Sequence, residues 1–277
     1  TRFFLGFMVM IGALVFLGCP LRMVLRMAAG DLNAWIGLIG FMIGVFVGTL
    51  FLRNGFSLGR TYMKNPLEGA IVPVLQIPLF IMLLVASPLL AFSEKGPGSM
   101  HADIWLALIL SLAVGVIGQR SRICMAGGFR DVFMIKEFHL FWGNIAILVV
   151  ALVYNLINSS FKLSLLHQPV SHSQWLWNIL GLFVVGLGSV LLGGCPMRQL
   201  ILSGTGNTDS AITVIGLVAG AAFAHNFGLA SGGDVYEEGT SIITGGGASP
   251  AGRIAAIVCI VVMLIIGFAY SKKPKKA

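Results

Sequence analysis

One segment of this chain occurs twice. Residues 18–44 align without a gap with residues 194–220 at a constant shift of 176 positions. Each copy begins with Gly-Cys-Pro-x-Arg and continues into an apolar run, and the same shift pairs Gly12 with Gly188. The copies begin with Gly18, Cys19, Pro20 and Arg22 and with Gly194, Cys195, Pro196 and Arg198. Because chance rarely keeps so many marked positions in one register, we interpret the pair as an internal duplication.

The composition of the chain predicts a membrane protein. Of its 277 residues, 57% are hydrophobic and only 10% are charged, and the mean hydropathy is +0.94. A soluble domain carries about 25% charged residues, so this chain has too few to cover a water-soluble surface. Segments inside a bilayer must satisfy their own backbone groups, which favours helices. The net charge of +8 could suggest nucleic acid, but four lysines follow residue 271. We therefore expect a membrane-surface anchor and no nucleic-acid partner.

Eight apolar runs are candidates to cross a bilayer. They lie near residues 3–17, 34–52, 70–92, 104–118, 138–157, 174–193, 210–230 and 253–270. An even number of crossings puts both termini on one side, and Lys and Arg are concentrated in the loops of that side. The positive-inside rule therefore predicts that both termini are cytoplasmic, in a bacterial inner membrane.

The two duplicated segments face opposite ways in this scheme. An odd number of crossings separates Cys19 from Cys195, which predicts an inverted-topology repeat as in many secondary transporters. The fold class we expect is an all-α polytopic membrane protein of about eight transmembrane helices, with broken half-helices that meet near the midplane. The chain would form a single integral membrane domain, with a first repeat at about 1–103 and a second at about 104–277.

The first apolar run predicts a broken helix. Residues 3–17 cover roughly 22 Å as a helix, which is short of a hydrocarbon core of about 30 Å. The run ends at Gly18-Cys19-Pro20, and proline is well tolerated at the first position of a helix. We therefore expect Cys19 to cap a half-helix over 20–29, and Cys195 to cap its mate, which would end near Gly204 or Gly206.

Each broken helix brings several anion-binding groups to one point. A thiol, free backbone N–H groups, the positive end of a helix dipole and an arginine three residues on (Arg22 or Arg198) would lie together. Because a thiol is polarizable and a weak donor, the set suits a small anion that contains a soft sulfur or selenium atom. The alternatives are that the cysteines only fill space and that the arginines snorkel to the headgroups, which we consider the better interpretation for Arg26.

Four further features are candidates for a pathway or for packing. Cys124 follows the fourth run in a segment that we place on the cytoplasmic side, and the first-arm counterpart of that segment would precede residue 1. The natural protein is therefore predicted to extend upstream with another cysteine-bearing segment. His225 and Asn226 would form a buried polar pair that either packs or lines a pathway. Cys259 is expected to fill space, and residues 231–252 to form an external connector or lid.

The chain resembles the YeeE/YedE family of sulfur-transport membrane proteins, most closely its YedE branch of suspected selenium transporters. The matching stretches are GCPLRMVLRMAAGDLNAW (18–35), FLRNGFSLGR (51–60), SRICMAGGFRD (121–131) and GGCPMRQLILSGTGNTD (193–209). The resemblance implies that cysteines along a central constriction, here Cys19, Cys124 and Cys195, pass the substrate by hydrogen bonds to thiols. It also implies a small TusA/SirA-like sulfur carrier in the cytoplasm as a partner.

The first hypothesis is therefore uptake of a small sulfur- or selenium-containing species, such as a thiosulfate-like anion, by a transporter that is not an enzyme. The runner-up is a membrane thiol oxidoreductase or sulfur-transfer enzyme, in which Cys19 and Cys195 approach each other. A soft-metal permease ranks third, because the cysteines and histidines show no metal-ligand spacing. We expect no cofactor and no resident metal.

Overall fold

The computed structural model describes residues 1–59, 65–85, 102–236 and 243–271, and these ranges contain helices and one short hairpin. The helices are α1 (Arg2–Phe16), α2 (Pro20–Ala28), α3 (Leu32–Arg53), α4 (Pro66–Leu84), α5 (Ile104–Ser121), α6 (Met125–Ile135), α7 (His139–Ile157), α8 (Trp175–Leu191), α9 (Pro196–Gly204), α10 (Thr208–Asn226) and α11 (Pro250–Tyr270). The hairpin pairs β1 (Val235–Tyr236) with β2 (Ile243–Thr244) in antiparallel register. The four lysines of the tail lie outside the described residues.

Eight segments of the described chain are long and apolar enough to cross a membrane, as predicted. They are Arg2–Ala28, Leu32–Arg53, Leu67–Leu84, Ile104–Ile135, His139–Ile157, Trp175–Gly204, Thr208–Asn226 and Pro250–Tyr270. The protein is thus an all-α polytopic membrane protein. The third segment begins earlier than the predicted run at 70–92, because Asn65 caps α4 and Pro66 follows it at the first helical position.

Both predicted helix breaks are present, and their backbones match. α1 ends at Leu17, whose φ of 65° is left-handed, and the Gly18 N–H donates to the Ala13 carbonyl at 2.8 Å. α8 ends in the same way, with a left-handed Gly193 and a 2.9 Å bond from Gly194 N–H to the Ser189 carbonyl. This six-to-one closure is a Schellman motif, so the chain turns sharply before the next half-helix begins.

The half-helices also end alike. Gly30 follows α2 with a φ of 93°, and Gly206 follows α9 with a φ of 88°, a backbone conformation that glycine adopts without strain. The next residues are the N-caps of the following helices: Asp31 accepts from the Asn33 N–H at the start of α3, and Asn207 accepts from a backbone N–H in the first turn of α10. We call residues 17–31 the first arm and residues 193–207 the second arm.

The two halves run in opposite directions. Gly12 of α1 faces Gly181 of α8, whereas the earlier Val9 of α1 faces the later Gly188. The equivalent helices α1 and α8 are therefore antiparallel, as an inverted repeat requires. α1 and α10 begin together at one end of the bundle, where Arg2 pairs with Asp209 at 3.1 Å. We call this the α1–α10 end, and the opposite one, where α3 and α8 begin, the α3–α8 end.

Glycines let the helices of the two halves pack against each other at close range. Gly40 of α3 lies on the Ile179 carbonyl of α8, and Gly216 of α10 lies on the Phe3 carbonyl of α1. Gly216 is the 176-shifted equivalent of Gly40, and Ile179 is that of Phe3. The half of the chain that supplies the glycine in one contact therefore supplies the carbonyl in the other. This reciprocity shows that the duplication extends to the contacts between helices, where glycines allow a close approach.

Two elements differ from the expectation from sequence. The segment after α5 forms a third half-helix, α6, whose N-cap is Cys124. The sequence did not predict it because Gly127 and Gly128 lower helix propensity, and packing against α7 overrides that preference. The connector at 231–252 contains the paired strands β1 and β2, and residues 237–242 lie outside the described residues.

Candidate functional site

The first arm opens onto a cavity that it shares with the second arm. Cys19 is the N-cap of α2, with an extended backbone at φ −81° and ψ 170°, and it is half-buried. The cavity beside it has a volume of about 210 Å³. Its lining residues are Met10, Ala13, Leu14, Gly18, Cys19, Pro196 and Leu217. A thiol from one repeat thus faces a wall that includes the first helical residue of the other repeat.

The walls of this cavity are apolar apart from the thiol and the backbone at the start of the half-helices. The Cys19 N–H has no hydrogen-bond partner among the described residues. An apolar enclosure penalises any ion that must shed a tightly held water shell, because buried polar groups need compensating bonds. A large, polarizable sulfur atom loses less on entering such a space than a hard oxyanion does. The cavity therefore offers a bound molecule apolar contacts, one thiol and one free backbone N–H.

The second arm holds its cysteine differently. Cys195 is the N-cap of α9 and is almost fully buried, with 1% of its surface exposed. Its N–H donates to Sγ of Cys124 at 3.3 Å, and the same sulfur accepts from the Gly127 N–H at 3.2 Å. One sulfur atom therefore lies at the N-termini of two half-helices, α6 and α9, where the dipoles favour electron-rich groups.

These positions revise the predicted arrangement of the cysteines. Cys124 was predicted on the cytoplasmic side without a stated neighbour, and its side of the membrane stays a prediction. It lies against Cys195, so Cys195 has Cys124 and not Cys19 as its bonded neighbour. The capping positions of Cys19 and Cys195 were predicted correctly, but neither thiol accepts a capping hydrogen bond, whereas that of Cys124 does.

The arginines of the two arms lie beside the glycines that precede the cysteines. The Arg22 stem packs on Gly18, and the Arg198 stem packs on Gly194. Arg22 is exposed, and Arg198 is half-buried and donates from Nη1 to Oε1 of Gln119 at 2.9 Å. Neither is among the residues that line the cavity. Their role as a source of positive potential at the site stays a prediction.

Arg26 is buried, and the expectation that it would snorkel is wrong. Only 7% of its surface is exposed, and Nε donates to Oδ2 of Asp31 at 2.7 Å. Nη1 donates to the Phe16 carbonyl at 3.0 Å, and Nη2 donates to Oγ of Ser171 at 2.7 Å. Its guanidinium also lies 4.3 Å from the centre of the Phe16 ring. A charge within an apolar segment is retained where it has such partners.

Two loop residues that the sequence did not single out complete this junction. His172 is fully buried, and its Nε2 lies 2.8 Å from the Val15 carbonyl, which also accepts from Oγ of Ser231 at 2.7 Å. Burial lowers the pKa of His172 below its usual value, and the bond to Val15 partly opposes this effect. The spacing of Arg26 and Asp31 could have indicated an ion pair, whereas no local pattern indicates His172 or Ser231.

Two of the remaining candidates were tested by the structure. His225 and Asn226 are both exposed at the end of α10, and Asn226 donates to the Ala222 carbonyl of its own helix. The predicted buried pair is therefore wrong, because only Ala224 in this turn of α10 is buried. Cys259 is buried in α11, as a space-filling residue should be. Within the described residues, no group of three or more His, Cys, Asp or Glu side chains could hold a metal ion.

Comparisons with known proteins agree with this membrane architecture. A family model described as sulphur transport matches residues 120–277, which is more than half of the chain. A thiosulfate transporter TsuA from Spirochaeta thermophila is 35% identical over 107 residues, covering 39% of this chain and 32% of that protein. A thiosulfate transporter TsuA from Escherichia coli is 31% identical over 116 residues, and this match covers 42% of this chain and 32% of the Escherichia coli protein. The matches thus span about a third of each relative.

Proposed function

Because the chain belongs to the YeeE/YedE family of sulphur-transport membrane proteins, we propose that it takes up a small sulfur-containing anion across a membrane. Thiosulfate is the first candidate, since two relatives are named as transporters of it. The observation that carries the proposal is the shared cavity: Cys19 of the first arm and Pro196 of the second line one space between antiparallel repeats. We assign the protein no catalytic activity.

The chemistry of thiosulfate matches what the cavity offers. Its terminal sulfur is large and weakly hydrated, so apolar walls and a thiol can surround it at modest cost. Its charge requires N–H donors, and the free N–H of Cys19 at the start of α2 supplies one beside the cavity. Sulfate is similar in charge but has only hard oxygen atoms. We therefore expect the cavity to accept thiosulfate and to reject sulfate.

The pathway that we propose has two stations. The first is the cavity at Cys19, and the second is the buried pair of Cys124 and Cys195, where one sulfur already accepts two N–H bonds. By the charge bias of the loops, the α1–α10 end would face the cytoplasm of a bacterial inner membrane, with both termini on that side. A TusA/SirA-like carrier would receive the sulfur species there.

A second candidate function follows from one observation. Cys124 and Cys195 lie close enough for the backbone of one to bond the sulfur of the other, so the two thiols are candidates for a disulfide that would serve a membrane thiol oxidoreductase. A disulfide between Cys124 and Cys195 forms only when the two thiols lose two electrons and two protons to an oxidant such as a quinone. Such a bridge, formed with that oxidant and reopened by a thiol reductant, would favour this alternative. Mass spectrometry of the protein before and after exposure to substrate would detect it.

Uptake into proteoliposomes tests the transport proposal. We expect the full-length protein to accumulate labelled thiosulfate, and Cys19→Ala and Cys195→Ala each to reduce uptake at least about tenfold, because a lost substrate contact of about 1.4 kcal/mol has that effect. The matched control is Cys259→Ala, which removes a buried thiol of α11 outside both arms and should leave uptake unchanged. A parallel series with labelled selenium compounds tests whether the substrate class includes selenium. Undiminished uptake in both arm variants would contradict the assigned roles.

A further inference from the structure

The last carbonyls of α1 are held by loops from elsewhere in the chain. The Val15 carbonyl accepts from His172 and from Oγ of Ser231, and the Leu14 carbonyl accepts from the Ser231 N–H at 3.1 Å. His172 lies in the loop between α7 and α8, and Ser231 lies in the segment between α10 and α11. Two connecting loops at the α3–α8 end therefore converge on the final turn of one broken helix.

Arg26 adds a third attachment at the same place. Its guanidinium bonds the Phe16 carbonyl, which is the next one along α1, and also bonds Ser171, the neighbour of His172. Asp31 balances the charge of Arg26 from the start of α3. The end of α1, the end of α2 and the loop between α7 and α8 thus form one hydrogen-bonded unit.

This unit is coupled to the cavity through Leu14. The carbonyl of Leu14 is bonded by Ser231, while Leu14 itself lines the cavity together with Cys19. The chain turns at Leu17, only a few residues later, and reaches Cys19 directly from that turn. A movement of the loops away from α1 would therefore release the final turn of α1 and widen the wall beside Cys19.

We propose that Arg26, Ser171, His172 and Ser231 are positioning residues that form a latch, which closes the cavity at Cys19 from the α3–α8 end. The latch holds the end of α1 in place and opens when Ser171, His172 and Ser231 move away from it. His172 Nδ1 is buried and has no partner among the described residues, so the closed state carries an unsatisfied group that opening would hydrate. The inference rests on the proposed function solely in treating the cavity as a transport site.

Among the described residues, no loop side chain bonds the last carbonyls of α8, which are the equivalents of those held at the end of α1. The Leu192 carbonyl, which is the 176-shifted equivalent of that of Phe16, accepts from Nε2 of Gln199 at 3.0 Å. Gln199 belongs to α9, so this bond lies within the second arm itself. The latch therefore acts on Cys19 alone and leaves Cys195 buried against Cys124.

Alkylation of individual cysteines tests the latch without requiring transport. The full-length protein in proteoliposomes is treated with N-ethylmaleimide, and the labelling rate of each cysteine is followed by mass spectrometry. We expect Ser171→Ala combined with Ser231→Ala to raise the rate at Cys19 about tenfold, because two buried hydrogen bonds are lost from the closed state. The matched control is Ser203→Ala in the second arm, whose hydroxyl bonds only the Leu200 carbonyl of its own helix.

The experiment is interpreted by comparing the labelling rates of the four cysteines. Faster labelling of Cys19 alone, with Cys124, Cys195 and Cys259 still protected, supports the latch whether or not thiosulfate is taken up. An unchanged rate at Cys19 overturns it. Faster labelling of all four cysteines means that the substitutions loosen the whole fold, and this result also counts against the latch.

Discussion

Equivalent backbone carbonyls beside the two arms accept hydrogen bonds from different types of side chain. The carbonyls of Phe16 and Leu192 occupy equivalent positions at the end of α1 and after α8, and both accept from a side chain of the following half-helix. In the first arm the donor is Arg26, a buried cation that also bonds Asp31 and Ser171. In the second arm it is Gln199, a neutral amide whose bonds stay within the arm.

This difference shows what the duplication preserved and what it left free to change. The turn, the proline, the glycine after each half-helix and the glycine contacts between helices are the same in both halves, because they determine the backbone. The polar partners differ, since any donor of suitable reach can satisfy a carbonyl. A cation in the first arm connects that arm to the loops, whereas a neutral amide leaves the second arm to pack against Cys124.

The largest effect that we expect is a loss of stability on replacing Arg26, which should exceed the loss on replacing Gln199. Arg26→Leu leaves the Asp31 carboxylate buried without its partner, and we expect it to lower the free energy of unfolding by about 3–5 kcal/mol. Gln199→Leu leaves only a carbonyl unpaired and should cost about 1–3 kcal/mol. Chemical unfolding of the purified protein in detergent measures both values.

A double variant serves as the control for this comparison. The equivalents of Arg26 and Asp31 in the second arm are Leu202 and Asn207. Arg26→Leu combined with Asp31→Asn therefore gives the first arm the second arm's residues and removes the unpaired charge. We expect it to recover part of the lost stability. Equal losses in the single and double variants would show that the ion pair does not determine the effect.

The next largest effect tests the equivalence of the two halves. A Cβ atom at Gly40 or at Gly216 would clash with a carbonyl oxygen of the facing helix, that of Ile179 or that of Phe3. We expect Gly40→Ala and Gly216→Ala each to lower the free energy of unfolding by about 1–3 kcal/mol, and by similar amounts, because the contacts are reciprocal. Gly115→Ala is the control, since nothing lies within 4 Å of a Cβ there. A large difference between the first two variants would contradict the two-fold arrangement.

The smallest expected effect is a pH dependence of stability. It should come from His172, which bonds the end of α1, and the end of α8 has no equivalent among the described residues. Burial lowers the pKa of His172 below 6.5, so the unfolded chain binds its proton more readily than the folded protein does. The folded state is therefore favoured above pH 6.5, and its stability falls as the pH drops below that value. Arg26 lowers the pKa further, whereas Asp234 and Asp31 raise it.

Thermal unfolding between pH 5 and pH 7.5 measures this dependence. His172→Gln keeps a side chain that can donate to the Val15 carbonyl but has no proton to gain, so we expect it to flatten the acid limb of the profile. An identical acid limb in this variant would show that other groups cause the pH dependence.

The sequence predicted the features of this fold that depend on the backbone preferences of single residues, such as the helix breaks. The 176-residue shift located both breaks, and Gly-Cys-Pro located the start of each half-helix, because proline and glycine act on their own neighbours. The contacts of Cys124 with Cys195 and of Arg26 with Ser171 could not be predicted, since each depends on which distant segment packs against it. A hydrophobicity pattern indicates that Arg26 lies in an apolar region, but it does not show the presence of Ser171, 145 positions further along.

The central claim is that the cavity between the arms binds the soft end of the substrate beside Cys19. Its most direct test is the rate at which N-ethylmaleimide alkylates Cys19 in the full-length protein as thiosulfate is added. We predict that thiosulfate slows the reaction in a saturable way and that sulfate at the same concentration does not. An alkylation rate that is unchanged at thiosulfate concentrations that saturate uptake would contradict the account.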